Sequence, residues 1–224
     1  MHSHIIPGID DGARTPEDGL AILRAMRDAG FTRWWTTPHI FQDYYRNTPQ
    51  TIRAGLEILQ GHLNACSETF QIDIAAEYHL DDHLMASLTQ GDELLLLGGK
   101  FLLFETNMLT LPLQFEDLLF QAGMRGVQPV LAHPERYEYL LGDFDRLQEW
   151  REKGVLFQVN MLSFDGAYGA GPRKMARDMA SKGFIDFLGS DCHHQGHAER
   201  LTALQNDAWF RKALEGNLLN HLLA

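Results

Sequence analysis

Val127-Gln128-Pro129-Val130-Leu131-Ala132-His133 is the stretch on which the fold turns. It is short and apolar, the pattern of a strand buried on both faces of a parallel sheet, and it ends on a histidine. Phe115–Met124 before it and Phe144–Lys153 after it read as helices. The same alternation extends outward in both directions.

Towards the N-terminus, Thr15 to Gly30 reads as a helix with clear ends. Thr15 suits the N-cap and Pro16 the first turn, Glu17 and Asp18 favour the positive end of the dipole, and Gly30 closes it. Arg33–Thr37 reads as a strand ending at Pro38-His39, and Pro49–Glu68 as a long helix with Ile52, Leu56, Leu59 and Leu63 on one face. Phe70–Ala76 is strand-like and delivers Glu77, and Asp81–Gln90 is helical. Leu94–Leu97 and Phe101–Phe104 read as strands joined by a turn at Gly98-Gly99, the second ending at Glu105. Towards the C-terminus, strand Val155–Val159 ends at Asn160 and helix Pro172–Lys182 follows. Strand Phe184–Gly189 ends at Ser190-Asp191-Cys192-His193, and a helical segment, Ala208–Leu223, comes last.

A βα unit of roughly 25–35 residues run about seven times either closes into a barrel or opens as a doubly wound sheet. His39, Glu77, Glu105, His133 and Asp191 each sit just past the end of a different strand. In a barrel those ends converge on one mouth; across an open sheet they could not all meet. The expectation is therefore a distorted TIM-like (βα)7 barrel with its chemistry at the C-terminal mouth of the strands.

The N-terminus adds to the same mouth. His2-Ser3-His4 places two imidazoles on one side of an extended chain, because side chains alternate with period two. Asp10 and Asp11 follow on a Pro/Gly-containing loop that can fold back with a carboxylate. Collected, the candidates are His2, His4, Asp11, His39, Glu77, Glu105, His133, Asp191 and His193. A catalytic zinc usually takes three protein ligands, so this set suits two or three ions. Mixed nitrogen and oxygen ligation without thiolate fits manganese, iron or zinc alike. Three divalent ions against four carboxylates leave a net charge of about +2, a match for a phosphomonoester dianion.

Composition narrows the class. A chain of 224 residues, 45% hydrophobic, suits one sizeable core and hence a single domain over residues 1–224. The formal net charge of −11 argues against nucleic acid as ligand, since phosphate backbones call for basic surfaces. No apolar run approaches membrane-spanning length, and no basic region with an apolar core marks a signal peptide. Two cysteines, Cys66 and Cys192, imply no disulfide framework and fit a reducing cytoplasm.

Together, His2-Ser3-His4 with Asp10-Asp11-Gly12, Thr37-Pro38-His39, Ala76-Glu77-Tyr78, Phe104-Glu105, Ala132-His133-Pro134-Glu135-Arg136 and Ser190-Asp191-Cys192-His193 resemble the PHP (polymerase and histidinol phosphatase) superfamily. Within it, Pro7-Gly8-Ile9-Asp10-Asp11-Gly12-Ala13 and Ala132-His133-Pro134-Glu135-Arg136-Tyr137 look like the bacterial tyrosine-protein phosphatases of capsular and exopolysaccharide clusters, the CpsB/CapC type. That resemblance covers essentially the whole chain. It implies a trinuclear centre, manganese first among the metals, with the Asp before Gly12 as ligand, hence Asp11. It further implies attack by a metal-bridging hydroxide on phosphotyrosine, with arginine stabilising the charge that develops. Arg136 is the first candidate for that arginine and Arg200 the second; Tyr44, Tyr45 and Arg46 on the loop after His39 are candidates for the phosphotyrosine pocket. The implied partner is a tyrosine-phosphorylated protein, the tail of a bacterial tyrosine autokinase.

Rival chemistries leave marks that are missing or shared. A cysteine-nucleophile phosphatase needs an arginine six positions after the cysteine; Cys66 has Ile72 there and Cys192 has Ala198. No Gly-x-x-x-x-Gly-Lys phosphate loop occurs. A PHP phosphatase or phosphodiesterase for a small phosphoester such as histidinol phosphate uses the same ligands, and so does a metal-stabilised binding module without turnover.

Only Met1 precedes His2. A barrel strand ending at these histidines would start several residues earlier, so the expectation is a shortened first strand. Such a stub has few ladder hydrogen bonds and should hold His2 weakly.

Overall fold

In the computed structural model, which describes residues 1–223, helix α1 (Pro16–Asp28) begins at Thr15, whose hydroxyl accepts the Asp18 N–H. It buries Leu20, Ile22, Leu23 and Met26. The next strand is split in two. β1 (Trp34–Thr36) and β2 (His39–Ile40) are separated by Pro38, and β3 (Ile72–Ile74) and β4 (Glu77–His79) by Ala75-Ala76, with α2 (Pro49–Ala65) between the pairs. β1 pairs with β3 in a separate two-stranded sheet. Then follow α3 (Asp82–Gln90), β5 (Phe101–Glu105), α4 (Phe115–Arg125), β6 (Gln128–Ala132), α5 (Phe144–Glu152), β7 (Leu156–Asn160), α6 (Ala170–Lys182) and β8 (Phe187–Gly189). Two helices, α7 (Gln195–Leu204) and α8 (Ala208–Leu214), close the chain.

β2-β4-β5-β6-β7-β8 form one parallel sheet in strict chain order. A doubly wound sheet reverses its order at a switch point; this one never does, so it curls in one direction. The N-terminal segment lies between its two edges. Ser190 and Asp191 donate backbone N–H groups to Met1 and His2, His4 donates to Cys192, and Thr37 donates to Ser3. Ser3 and Cys192 form a one-residue parallel bridge.

The weak hold expected for His2 is not found. The segment is bonded on both flanks, and His2 and His4 are wholly buried. Two further readings need correction. Leu94–Leu97 is not a strand: only Leu97 bridges, to Phe101 across the Gly98-Gly99 turn, where both glycines take positive φ. The helical segment expected over Ala208–Leu223 ends at Leu214 and resumes only as a 3-10 turn, Asn220–Leu223. α7 went unread, although Ala198, Leu201 and Leu204 carry its apolar face.

The period of two sorts the strands into an inner and an outer face. On β5, Phe101 and Leu103 point into the curl, where Val130, Ala132, Phe187 and Leu223 join them. Leu102 and Phe104 point out, against the helices. Each such side chain contributes about 1.5–3 kcal/mol by leaving water. Continuing the inner row by two residues turns an apolar floor into a polar mouth: Phe101, Leu103, Glu105 on β5, and Leu156, Gln158, Asn160 on β7.

Candidate metal centre

Glu77 is the hub of that mouth. It is the first residue of β4, paired in register with His39 at the head of β2. Its Oε1 is 2.9 Å from His133 Nε2; its Oε2 is 3.1 Å from His2 Nε2, 3.2 Å from His39 Nδ1 and 3.4 Å from His4 Nε2. Asp191 Oδ1 faces the same space, 3.3 Å from His2 Nε2, 3.5 Å from His4 Nε2 and 3.4 Å from His193 Nδ1. Glu105 Oε1 lies 3.5 Å from His39 Nδ1.

Asp10 and Asp11, equivalent on the page of the sequence, take different places. Asp10 turns inward beneath His4, with Oδ2 2.8 Å from His4 Nδ1, and accepts the backbone N–H groups of Gly12 and His39. Asp11 Oδ1 reaches the mouth, 3.4 Å from His193 Nε2 and 3.5 Å from His39 Nε2. Gly12 makes this loop possible: a Cβ there would sit 2.1 Å from the His4 carbonyl oxygen.

Among the described residues, three of the four non-glycine residues with positive φ are His2, His133 and Asp191, at 62°, 35° and 47°. Left-handed backbone is costly for such residues and persists where the surroundings over-determine it, typically at functional sites. Here it turns His133 and Asp191 over the strand ends and His2 into the cluster.

The donor set fits divalent cations on three counts. Ligand atoms gather within 4.8 Å of one another in three groups: His4, Asp11, His39 and His193; His2, His4, Glu77 and Asp191; and His39, Glu77 and Glu105. The buried nitrogens His4 Nε2, His39 Nδ1 and His133 Nδ1 lack hydrogen-bond partners; His39 Nδ1 is near Glu77 without the angle of a bond. A buried imidazole nitrogen left unbonded is costly unless something accepts its lone pair. Finally, the charges are mutually tuned. Burial pushes the Glu77 and Asp191 carboxyls up, but the imidazoles of His2 and its neighbours hold both well below the usual range. Burial pulls His2 and His4 down, and the facing carboxylates raise both above the ordinary imidazole value. Hydrogen bonding and charge from His193 bring Asp11 down to about 2 despite partial burial.

Arg136, on the turn after His133, donates from Nη1 to Asp191 Oδ2 at 3.0 Å and lies over the Tyr168 ring at 4.6 Å. It lines an open cavity of about 300 Å³ above the cluster, with Phe41, Tyr44, Tyr45 and Met108 as its apolar and aromatic wall. Tyr45 stacks on His39. Arg200 and Arg46 do not reach this cavity. Arg200 forks onto Asp165, and Arg46 Nε donates to the Gln42 carbonyl. His79 is the residue the sequence reading passed over: its Nδ1 is 3.3 Å from Glu105 Oε1. The signal was the one used for His2 and His4, since His79 stands two residues past Glu77 on the same strand face.

A curled parallel sheet carrying a buried centre of imidazoles and carboxylates at its mouth is the architecture of a metal-dependent hydrolase. A family model described as capsular polysaccharide synthesis, CpsB/CapC, matches residues 1–221, and the chain belongs to that family. It is similar to the tyrosine-protein phosphatase YwqE of Bacillus subtilis, at 27% identity over 87% of this chain and 76% of the relative. It is similar also to the tyrosine-protein phosphatase CpsB of Streptococcus agalactiae serotype V, at 26% over 87% and 82%. Among solved structures, the fold matches that of crystal structures of YwqE from B. subtilis and CpsB from Streptococcus pneumoniae, described as unique metal-dependent tyrosine phosphatases. The TM-score is 0.81 at 24% identity, covering 99% of this chain and 92% of the other. No helix among the described residues is long and apolar enough to cross a membrane.

Proposed function

We propose that this chain is a metal-dependent protein-tyrosine phosphatase with two or three divalent ions, manganese first, held at the mouth of a distorted (βα)7 barrel of the PHP type. The observation that carries the reading is the overlap of the three ligand groups: two of them share Glu77, and the third is joined to those two through His4 and His39. A carboxylate with two free faces can bridge adjacent ions; His4, whose Nδ1 is taken by Asp10, can serve only one. His2, His4 and Asp191 would hold one ion, Asp11, His39 and His193 a second, and Glu105 and His133 a third, with Glu77 shared.

Bound divalent ions supply Lewis-acid charge to the phosphoryl oxygens and lower the pKa of water towards about 7. The protein's own residues do the rest. Arg136, aimed by Asp191 and backed by Tyr168, presents its remaining donors to a phosphate at the mouth, where a guanidinium pairs with two oxygens at once. Phe41, Tyr44, Tyr45 and Met108 offer an aromatic phosphoester a wall that a small polar one would not use. Arg200 would contribute only on leaving Asp165. The open cavity suits a peptide better than a metabolite, and the family's link to capsular polysaccharide synthesis supports a bacterial tyrosine kinase tail as the partner.

Purified protein loaded with Mn²⁺ should hydrolyse a phosphotyrosine peptide and lose that activity in a folded His133→Ala variant. Turnover of histidinol phosphate alone would overturn the proposal in favour of a small-molecule phosphatase. Unchanged activity of His133→Ala would remove the metal centre from the chemistry.

A further inference from the structure

Beside the ligand cluster, β7 carries two fully buried amides, Gln158 and Asn160, on the inner face of the curl. Asn160 Nδ2 lies 2.6 Å from Asp191 Oδ2, Gln158 Nε2 lies 2.9 Å from Asn160 Oδ1, and Gln158 Oε1 lies 2.6 Å from His2 Nδ1. The chain has a direction that can be worked out from chemistry alone. An ionised carboxylate only accepts hydrogen bonds, so Asn160 must turn its NH₂ to Asp191. Its carbonyl oxygen then faces Gln158, which must answer with its own NH₂. Gln158 therefore turns its carbonyl oxygen to His2, and His2 must carry its proton on Nδ1. Nε2 is then the nitrogen that faces Glu77 and the ligand space, and the one free to give its lone pair to an ion there.

We propose that Gln158 and Asn160 are positioning residues that set the tautomer of His2 from the charge on Asp191, so that two ligands on distant parts of the chain are oriented as one unit. The same relay orients Asp191. Oδ2 is taken by Asn160 and by Arg136, so Oδ1 is the oxygen left for the ligand space. Both amides are bonded side chain to side chain, and both are sealed from water. Gly189 on β8 completes the arrangement. A Cβ at that position would stand 2.4 Å from Gln158 Nε2 and 3.0 Å from His2 Cβ, so the strand beside the relay has no room for a side chain.

The inference rests on reading His2 and Asp191 as metal ligands, and the test separates the two ideas. Wild type, Gln158→Met and Gln158→Glu are titrated with Mn²⁺ against a competing chelator, with circular dichroism as the fold check. Outer residues of this kind typically change metal affinity by about 10–100-fold. Gln158→Met, similar in shape but unable to bond, should weaken one ion of the set by that factor. Gln158→Glu keeps the acceptor for His2 and should recover part of the loss. Equal affinity in wild type and Gln158→Met would overturn the relay, whereas no binding by wild type would overturn the ligand reading beneath it. If Gln158→Met does not fold, long-range ¹H–¹⁵N spectra of the Zn²⁺-loaded wild type decide. A proton on His2 Nδ1 supports the relay, and a proton on Nε2 overturns it. Gly189→Ala, which crowds the Gln158 amide and His2 together, should weaken the same ion as Gln158→Met.

Discussion

Asp10 Oδ2 sits 2.8 Å from His4 Nδ1, so this aspartate acts on the site through an imidazole while its neighbour Asp11 faces the ligand space itself. A carboxylate behind a histidine fixes the ring and raises its basicity as a ligand. Asp10→Asn should therefore weaken metal binding by about 10–100-fold and leave the number of ions at saturation unchanged. Asp11→Asn should lower the number itself. Metal content after titration and dialysis distinguishes them; equal stoichiometry for both would return the two aspartates to equivalence.

The metal-free protein should have an unusual pH profile. The folded-state values of His2 and His4 are raised above 6.5, so their contribution is complete below that pH and is lost as pH rises through the raised values. Glu77 and Asp191 are depressed below 4.5 and 3.8, so theirs is complete above those values and is lost on acidification through the depressed ones. Stability with chelator present should thus peak between about pH 4.5 and 6.5 and fall towards alkaline pH. Metal loading should reverse the alkaline trend, because ions displace the protons from these imidazoles. Melting temperature against pH, with chelator and with Mn²⁺, checks both signs.

Arg136 and Arg200 should separate by kinetics. Removing a preorganised donor to a developing oxyanion charge costs roughly 10²–10³ in kcat. Arg136→Ala should fall in that range, since Arg136 lines the cavity and is aimed by Asp191. Arg200→Ala should lose no more than about tenfold, because the ion pair with Asp165 holds it away from the mouth and a partly exposed pair of this kind is weak. A loss for Arg200→Ala as large as that for Arg136→Ala would mean that substrate pulls it off Asp165.

Gly12→Ala drives a methyl group against backbone, with no flexible side chain to give way. Overpacking of this kind costs about 1–3 kcal/mol. The Asp10–Asp11 loop should lift from His4, lowering the denaturation midpoint and metal affinity together. An unchanged midpoint would show that the loop can move away freely.

Much of this site was legible because strand periodicity and residue chemistry are local. The His2-x-His4 pair, the polar residue closing each apolar run, and the arginine after His133 all follow from spacing along one segment. His79 was legible by the same rule and was passed over. Arg46 and Arg200 were the right residue type near the right motifs, but a long side chain goes where its partner is, and Gln42 and Asp165 hold them elsewhere.

The sequence by itself determined the βα alternation, the inward row on each strand and the inventory of imidazoles and carboxylates, because each depends on neighbours a few positions apart. Only the tertiary structure decided how the sheet meets itself, with Met1–His4 bonded between the last strand and the first. It also decided which of Asp10 and Asp11 faces the ligand space, and that Gln158 and Asn160 join His2 to Asp191. Those are relations across 31 and 156 positions of chain. A hydrogen bond between two buried side chains is set by where the backbones carry them, and no local pattern encodes that distance.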